Sequence, residues 1–164
     1  MPFELRVLTA ADQAAYNEFF ARGAARHPSL FRIHPEDFRE RPFATQASDD
    51  TATVLAHDGA RWLGVGTIER EQNRAKRRHV AWIVRMLVVE QNAGVGRALL
   101  RGLKERALAM PGVDKVNLTV AAQNAAAVHL YSSEGFAPFS RELDAFRVGE
   151  TRVEELTMSC RARP

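Results

Sequence analysis

Hydrophobic positions along this chain keep two rhythms, and the switches between them mark out its elements. Apolar residues three and four apart line one face of a helix, whereas alternation by two lines one face of a strand. Glu4–Leu8 reads as a short strand. Thr9 then suits a helix cap, with Asp12 in a capping-box position, and Ala15, Tyr16, Phe19 and Phe20 make the apolar stripe of the helix. A second, short helix begins at Pro35, a residue suited to a first helical position, and carries Phe38; Phe43–Asp50 reads as loop. Thr51–Ala56 and Arg61–Arg70 are strands flanking Asp58-Gly59, a two-residue hairpin signal. Gly64 and Gly66 inside the second of them point to a bulge or a close backbone approach.

After the polar turn Asn73–Arg78, His79–Val89 is almost continuously apolar, which predicts a central strand buried on both faces. Gly94–Ala109 is an amphipathic helix with Val95, Ala98, Leu99, Leu103 and Leu108 inward, stopped by Pro111-Gly112. Lys115–Val120 alternates, Asn124–Ser132 is a helix capped by Asn124, and Phe136–Phe146 and Thr151–Ser159 are closing strands joined around Gly149. The order is β-α-α-β-β-β-α-β-α-β-β. A helix crossing from His79–Val89 to Lys115–Val120 makes those two strands parallel, and the hairpins around them are antiparallel. The expected fold is α/β: a mixed, mostly antiparallel sheet with a central parallel pair and helices on both faces. It fills a single domain over 1–164, with its core at about 4–160.

Composition narrows the class. With 164 residues, 46% apolar and 26% charged, the chain has globular proportions, which exclude a disordered tail, a rod and a disulfide-stapled mini-protein. No apolar run approaches the roughly 18–20 residues of a membrane span, and the opening MPFELRVLTAADQ has no signal-peptide pattern, so the expectation is a soluble, cytoplasmic protein without a membrane partner. The lone Cys160 fits a reducing compartment and reads as a small buried hydrophobe. A net charge of +3 suits an anionic small-molecule ligand; no basic helix or aromatic-rich stacking strand supports a nucleic-acid partner.

Two segments carry candidate chemistry. The first runs from the apolar strand through Gln91-Asn92-Ala93-Gly94-Val95-Gly96 into the helix that opens Arg97-Ala98-Leu99-Leu100. A helix N-terminus presents unpaired N–H groups and partial positive charge, and the glycines let a ligand approach the backbone, which together make a phosphate or pyrophosphate site. Without a following Lys-Ser/Thr it is not a Walker loop, and two glycines do not make a dinucleotide fingerprint. The second segment is Asn124 to Phe136. There Asn124 can cap its helix and still reach a ligand amide, and Tyr131, two turns along the same face, has a hydroxyl that can protonate a leaving group.

Together the two segments resemble the GNAT N-acetyltransferase superfamily. Gln91, Gly94 and Gly96 match its Q/R-x-x-G-x-G/A signature. Asn124, Ala127, Leu130, Tyr131, Gly135 and Phe136 match N-x-x-A-x-x-L-Y-x-x-x-G-F. The resemblance covers essentially the whole chain and is strongest from His79 to Phe146. Two features depart from the pattern: Asn92 stands where the family very often has Gly, and Val88–Gln91 is about two residues shorter than usual.

The resemblance implies an acetyl-CoA-dependent transferase acting on a primary amine of a small molecule, a protein N-terminus or a lysine, often as a homodimer. It implies acetyl-CoA in a V-shaped opening between the two parallel strands. The pantetheine arm would pair with the backbone near Leu87, Val88 and Val89, and the pyrophosphate would lie on Gln91, Asn92, Ala93, Gly94, Val95, Gly96 and Arg97. Asn124 and Ala127 would lie beside the arm, and Tyr131 would hydrogen-bond the thioester sulfur and protonate the departing thiolate. Attack by the amine would be direct, so no acyl-enzyme on Cys160 is expected. An alternative is a non-catalytic acyl-CoA-binding regulatory domain.

The acceptor side is less defined. An ammonium must lose a proton before attack, and Glu69 or His79 are candidate bases. Arg85, a lone cation in the apolar central strand, either faces the substrate cleft and binds a carboxylate or pairs with an acid on a neighbouring strand. Arg74, Lys76, Arg77 and Arg78 form a basic turn, and Arg22–Phe43 lies where the family places its variable substrate wall.

Overall fold

The computed structural model describes residues 2–71, 74–89 and 93–162. In chain order the elements are β1 (Glu4–Val7), α1 (Gln13–Arg26), α2 (Pro35–Glu40), β2 (Thr51–His57), β3 (Trp62–Arg70) and β4 (Val80–Val88). After them come α3 (Val95–Ala109), β5 (Lys115–Ala121), α4 (Ala125–Ser133), β6 (Ala137–Val148) and β7 (Thr151–Arg161). The strands form one sheet in the order β1-β2-β3-β4-β5-β7-β6. Only β4 and β5 run parallel. The element order and the mixed sheet agree with the sequence pattern; the last hairpin folds back so that β7, not β6, lies beside β5.

Helices cover both faces. α3 and α4 pack Leu99, Leu100, Leu103 and Tyr131 over Ile68, Ala81, Ile83, Val116, Leu118 and Met158. On the opposite face α1 and α2 bury Tyr16, Phe19, Phe20 and Phe38 against Leu55, Val65 and Leu87. Both helix stripes are rotated from expectation. In α1, Ala15 is exposed and Gly23 and Ala24 are buried instead. In α3, Leu100 and Ala107 are buried, while Ala98 and Leu108 are only partly so. Small residues serve where a helix lies close to the sheet: a Cβ on Gly23 would collide with the Leu87 side chain.

The β2–β3 connection differs from the two-residue turn that Asp58-Gly59 suggested. It spans residues 58–61, because the Asp58 side chain accepts the N–H groups of Ala60 (3.2 Å) and Arg61 (2.8 Å) and organises a wider turn. Gly66 answers both readings offered for it. β4 carries an extra residue opposite it, and a Cβ there would meet Leu103 Cδ1 at 2.5 Å. Leu103 is fully buried, so Leu103→Ala should lower stability by about 2–5 kcal/mol through the cavity it leaves. The urea midpoint should fall with the m-value unchanged.

Candidate active site

β4 and β5 pair at four positions only, from Val80↔Lys115 to Ile83↔Leu118. Past that point each keeps its other neighbour: β4 stays on β3 to Gly64↔Val88, and β5 stays on β7 to Ala121↔Glu155. The two strands therefore part into a wedge that opens toward the start of α3. The backbone of residues 84–88 on the β5 side of β4 has no strand partner. This explains why β4 is less buried than its apolar sequence implied: Val84, Arg85, Met86 and Val88 are only partly covered.

At the open end of the wedge Gly94 caps α3 in the left-handed region, at φ 77°. The first bond of the helix runs from the Ala98 N–H to the Gly94 carbonyl at 3.1 Å. The N–H groups of Val95, Gly96 and Arg97 therefore lack intrahelical acceptors and point at one spot with the helix dipole behind them. A Cβ at Gly94 would meet nothing within 4 Å, so the space over the turn is open, whereas a Cβ at Gly96 would meet Leu130 Cδ2 at 3.4 Å. Gln91 and Asn92 lie outside the described residues; Ala93 is exposed beside Gly94. The Arg97 side chain turns away to Glu134 (3.3 Å) and Ser133 (3.4 Å), leaving its N–H at the turn. Arg101 and Arg97 hold the Glu134 carboxyl below its ordinary range, chiefly through the Arg101 hydrogen bonds.

α4 flanks the wedge on the α3 side of the sheet. The Asn124 Oδ1 caps it, accepting the Ala127 N–H at 3.2 Å, which leaves the amide –NH2 for another partner. Tyr131 lies on the same helix, 8% exposed, with its ring 6.2 Å from that of Phe136. Among the described residues its hydroxyl donates only to Met86 Sδ, at 3.8 Å. Burial pushes the phenol up to about 12, so it stays protonated at neutral pH.

Arg85 holds a left-handed backbone, φ 53°, at the bulge beside Met86, a conformation that costs a non-glycine residue about 1–3 kcal/mol. Its side chain is 9% exposed and ion-paired with Glu69 of β3. The guanidinium carbon lies 3.9 Å over the Phe43 ring, and Nε is buried without a hydrogen-bond partner among the described residues. Of the two readings of this arginine, the pair with an acid on a neighbouring strand is the one formed. Glu69 itself is 43% exposed.

It lines a groove of about 560 Å³ with Arg32, Glu71, Trp82, Val84, Thr119 and Thr157. Val84 and Thr119 are the first residues beyond the last β4–β5 pair, so this groove reaches the apex of the wedge from the α1 face. Thr119 is exposed in mid-sheet because α1 and α2 do not extend over this half of the face. Arg32 closes one wall by pairing with Glu155 of β7 and, at 2.7 Å, with Glu142 of β6.

Sequence reasoning missed Trp82, Thr119 and Thr157, and reached Arg32 only as part of the stretch Arg22–Phe43. Arg32 meets partners 110 and 123 positions away, which no local pattern signals; the one available hint was a polar Thr119 in the alternation of a central strand. His79 is exposed at the far end of β4, beside the start of β5, remote from the wedge. Cys160 pairs opposite Val116 on β7, toward that same end.

A family profile described as Acetyltransferase (GNAT) matches residues 14–136. The chain belongs to that family. Among solved structures it is similar to a GNAT-family acetyltransferase from Streptococcus pneumoniae, with TM-score 0.83, 21% identity, and 98% of this chain and 100% of that one covered. A GCN5-related N-acetyltransferase from Kribbella flavida matches at TM-score 0.80, 22% identity and 98% of each chain. A putative acetyltransferase from Salmonella typhimurium, solved with acetyl-CoA, matches at 0.78, 18% identity, and 98% and 94% of the two chains. No curated protein sequence matches.

The protein is thus an N-acetyltransferase of the GNAT class, and acetyl-CoA is its cosubstrate. The residues present fit that molecule. An anion cradle of free N–H groups stands at one end of an unpaired strand backbone, and a protonated, buried phenol stands at the other. No helix among the described residues is long and apolar enough to cross a membrane.

Proposed function

We propose that the protein transfers the acetyl group directly to a primary amine that enters through the groove over Trp82, Val84 and Thr119. The observation that carries this reading is the wedge. Its mouth has the Gly94 turn, its apex opens into the groove, and Tyr131 and Met86 stand between them. Asn124, Ala127 and the β4 backbone from Leu87 to Val89 would hold the extended arm of acetyl-CoA. Val95, Gly96 and Arg97 N–H groups would hold its pyrophosphate. Acetyl-CoA supplies the thioester; the chain supplies position, a proton donor and a path for the amine's proton.

In the reaction the amine nitrogen bonds to the acetyl carbon and the carbon–sulfur bond breaks. Tyr131 donates its hydrogen bond, and then its proton, to the sulfur to give the CoA thiol, and the phenolate regains a proton from solvent as Glu69 releases the one taken from the amine. We assign Glu69 to receive the proton that the amine loses, directly or through water in the groove. The acceptor follows from the same geometry: the groove is open to solvent, so the amine can be on a small molecule or on an exposed peptide N-terminus or lysine.

The test is purified protein, acetyl-CoA and a panel of primary amines, with acetylated amine and free CoA quantified by mass spectrometry. The expected result is equimolar appearance of both, with a rate that rises as the amine deprotonates. Tight acetyl-CoA binding without transfer to any amine would instead favour the non-catalytic acyl-CoA-binding reading.

A further inference from the structure

Arg85 is the least comfortable residue in the described fold. It is a non-glycine residue in the left-handed region, in the middle of a strand, with a buried guanidinium whose Nε has no hydrogen-bond partner among the described residues. Such a conformation persists only where the surroundings over-determine it, and strained positions of this kind cluster at functional sites. Four contacts hold it: the ion pair to Glu69, the Phe43 ring beneath the guanidinium, the buried Tyr16 hydroxyl of α1, and the β3 ladder on both sides of the bulge. Thr67↔Val84 and Val65↔Leu87 bracket the bulge, so Arg85 and Met86 are the two residues left to accommodate the extra length.

Met86 is also the residue whose sulfur meets the Tyr131 hydroxyl at 3.8 Å. A continuous chain of contacts therefore joins the acceptor groove to the proton donor. Glu69 lines the groove and grips Arg85; Arg85 fixes the bulge; and the bulge sets where Met86 stands against Tyr131.

We propose that Arg85 is a positioning residue. Anchored on Glu69 and Phe43, its guanidinium holds the β4 bulge in the one arrangement that aligns Tyr131 with the reacting thioester. It contacts neither the thioester nor the amine. The inference rests on the proposed role of Tyr131. It separates two jobs in β4: the backbone beyond the bulge binds the arm of acetyl-CoA, while the bulge governs the chemical step.

The test is a double-mutant cycle on the full-length protein, with kcat and acetyl-CoA Kd measured separately. Arg85→Met should lower kcat by about 10-fold, the scale on which residues acting through one contact couple, with acetyl-CoA Kd changed less than about 2-fold. On the Tyr131→Phe background the same change should cost clearly less, the remainder being what Glu69 loses with its partner. Arg85→Lys, which keeps the charge but not the planar fork, should recover part of the loss.

Should Arg85→Met fold poorly, Arg85→Gly keeps the bulge without strain, because glycine adopts φ 53° freely. This variant should be stable and slow, and added guanidinium ion should restore part of its rate. Equal losses on both Tyr131 backgrounds would overturn the proposal, as would an Arg85→Gly enzyme with wild-type kcat. A Tyr131→Phe enzyme of undiminished turnover would instead bring down the Tyr131 role, and this inference with it.

Discussion

Tyr131→Phe should slow acetyl transfer by about 100-fold or more, the scale of a positioned proton donor, while leaving acetyl-CoA affinity within a few-fold. The substitution removes one oxygen from a buried ring that keeps its packing on Phe136, so the fold should tolerate it. Burial pushes the phenol up to about 12, whereas a free thiol has a pKa near 8.5. Burial raises a thiol as well, but the phenol is already the weaker acid in water, about 10 against 8.5, so complete transfer to the thiolate is uphill by at least about 2 kcal/mol. Tyr131 then acts mainly through a hydrogen bond that strengthens as charge builds on sulfur, and the proton moves fully only as the amine gives up its own.

Two consequences can be measured. The pH–rate profile should show no falling limb from Tyr131 at any pH below about 10, because the donor form stays populated up to its raised pKa. The rising limb, set by amine deprotonation, should survive in the Phe variant at a lower plateau. A Tyr131→Phe enzyme that lost acetyl-CoA binding instead of turnover would assign Tyr131 to the cofactor pocket and not to the chemical step.

What the sequence disclosed was what local periodicity encodes. Every strand and helix could be ordered from the 2- and 3.6-residue rhythms, and Asn124 was identified as a cap from its place before an apolar helix. Gly94 marked the turn into α3, where a left-handed cap suits glycine and residue type reports conformation directly. The groove proposed for the acceptor was legible only as the stretch Arg22–Phe43, for the opposite reason. The Arg32 wall is made by partners far apart in the chain. The apolar run of β4 predicted full burial, but apolarity does not reveal that a strand loses its neighbour halfway along. Arg85 was visible as an anomaly, yet its left-handed backbone comes from the bulge, which two strands define together.

Gly94→Glu should abolish measurable acetyl-CoA binding, weakening it by about 100-fold or more. The glycine sits at φ 77°, so any other residue there is strained by roughly 1–2 kcal/mol, but nothing within 4 Å blocks the side chain. The carboxylate would project over the turn where the Val95, Gly96 and Arg97 N–H groups converge. There it would meet a pyrophosphate at ~5 Å, which costs about 3 kcal/mol per unit charge at an effective dielectric constant near 20. Gly94→Gln separates charge from backbone: it carries the same strain and nearly the same volume without the anion.

Calorimetry should therefore rank wild type close to Gly94→Gln and both far above Gly94→Glu, with the gap narrowing as salt is raised. A pantetheine-type fragment without phosphates should bind all three alike, since it never reaches the turn. If Gln and Glu weaken acetyl-CoA equally, the turn matters for its shape and not for its field. If neither does, the phosphates rest elsewhere, and the helix N-terminus at Gly94 is structural only.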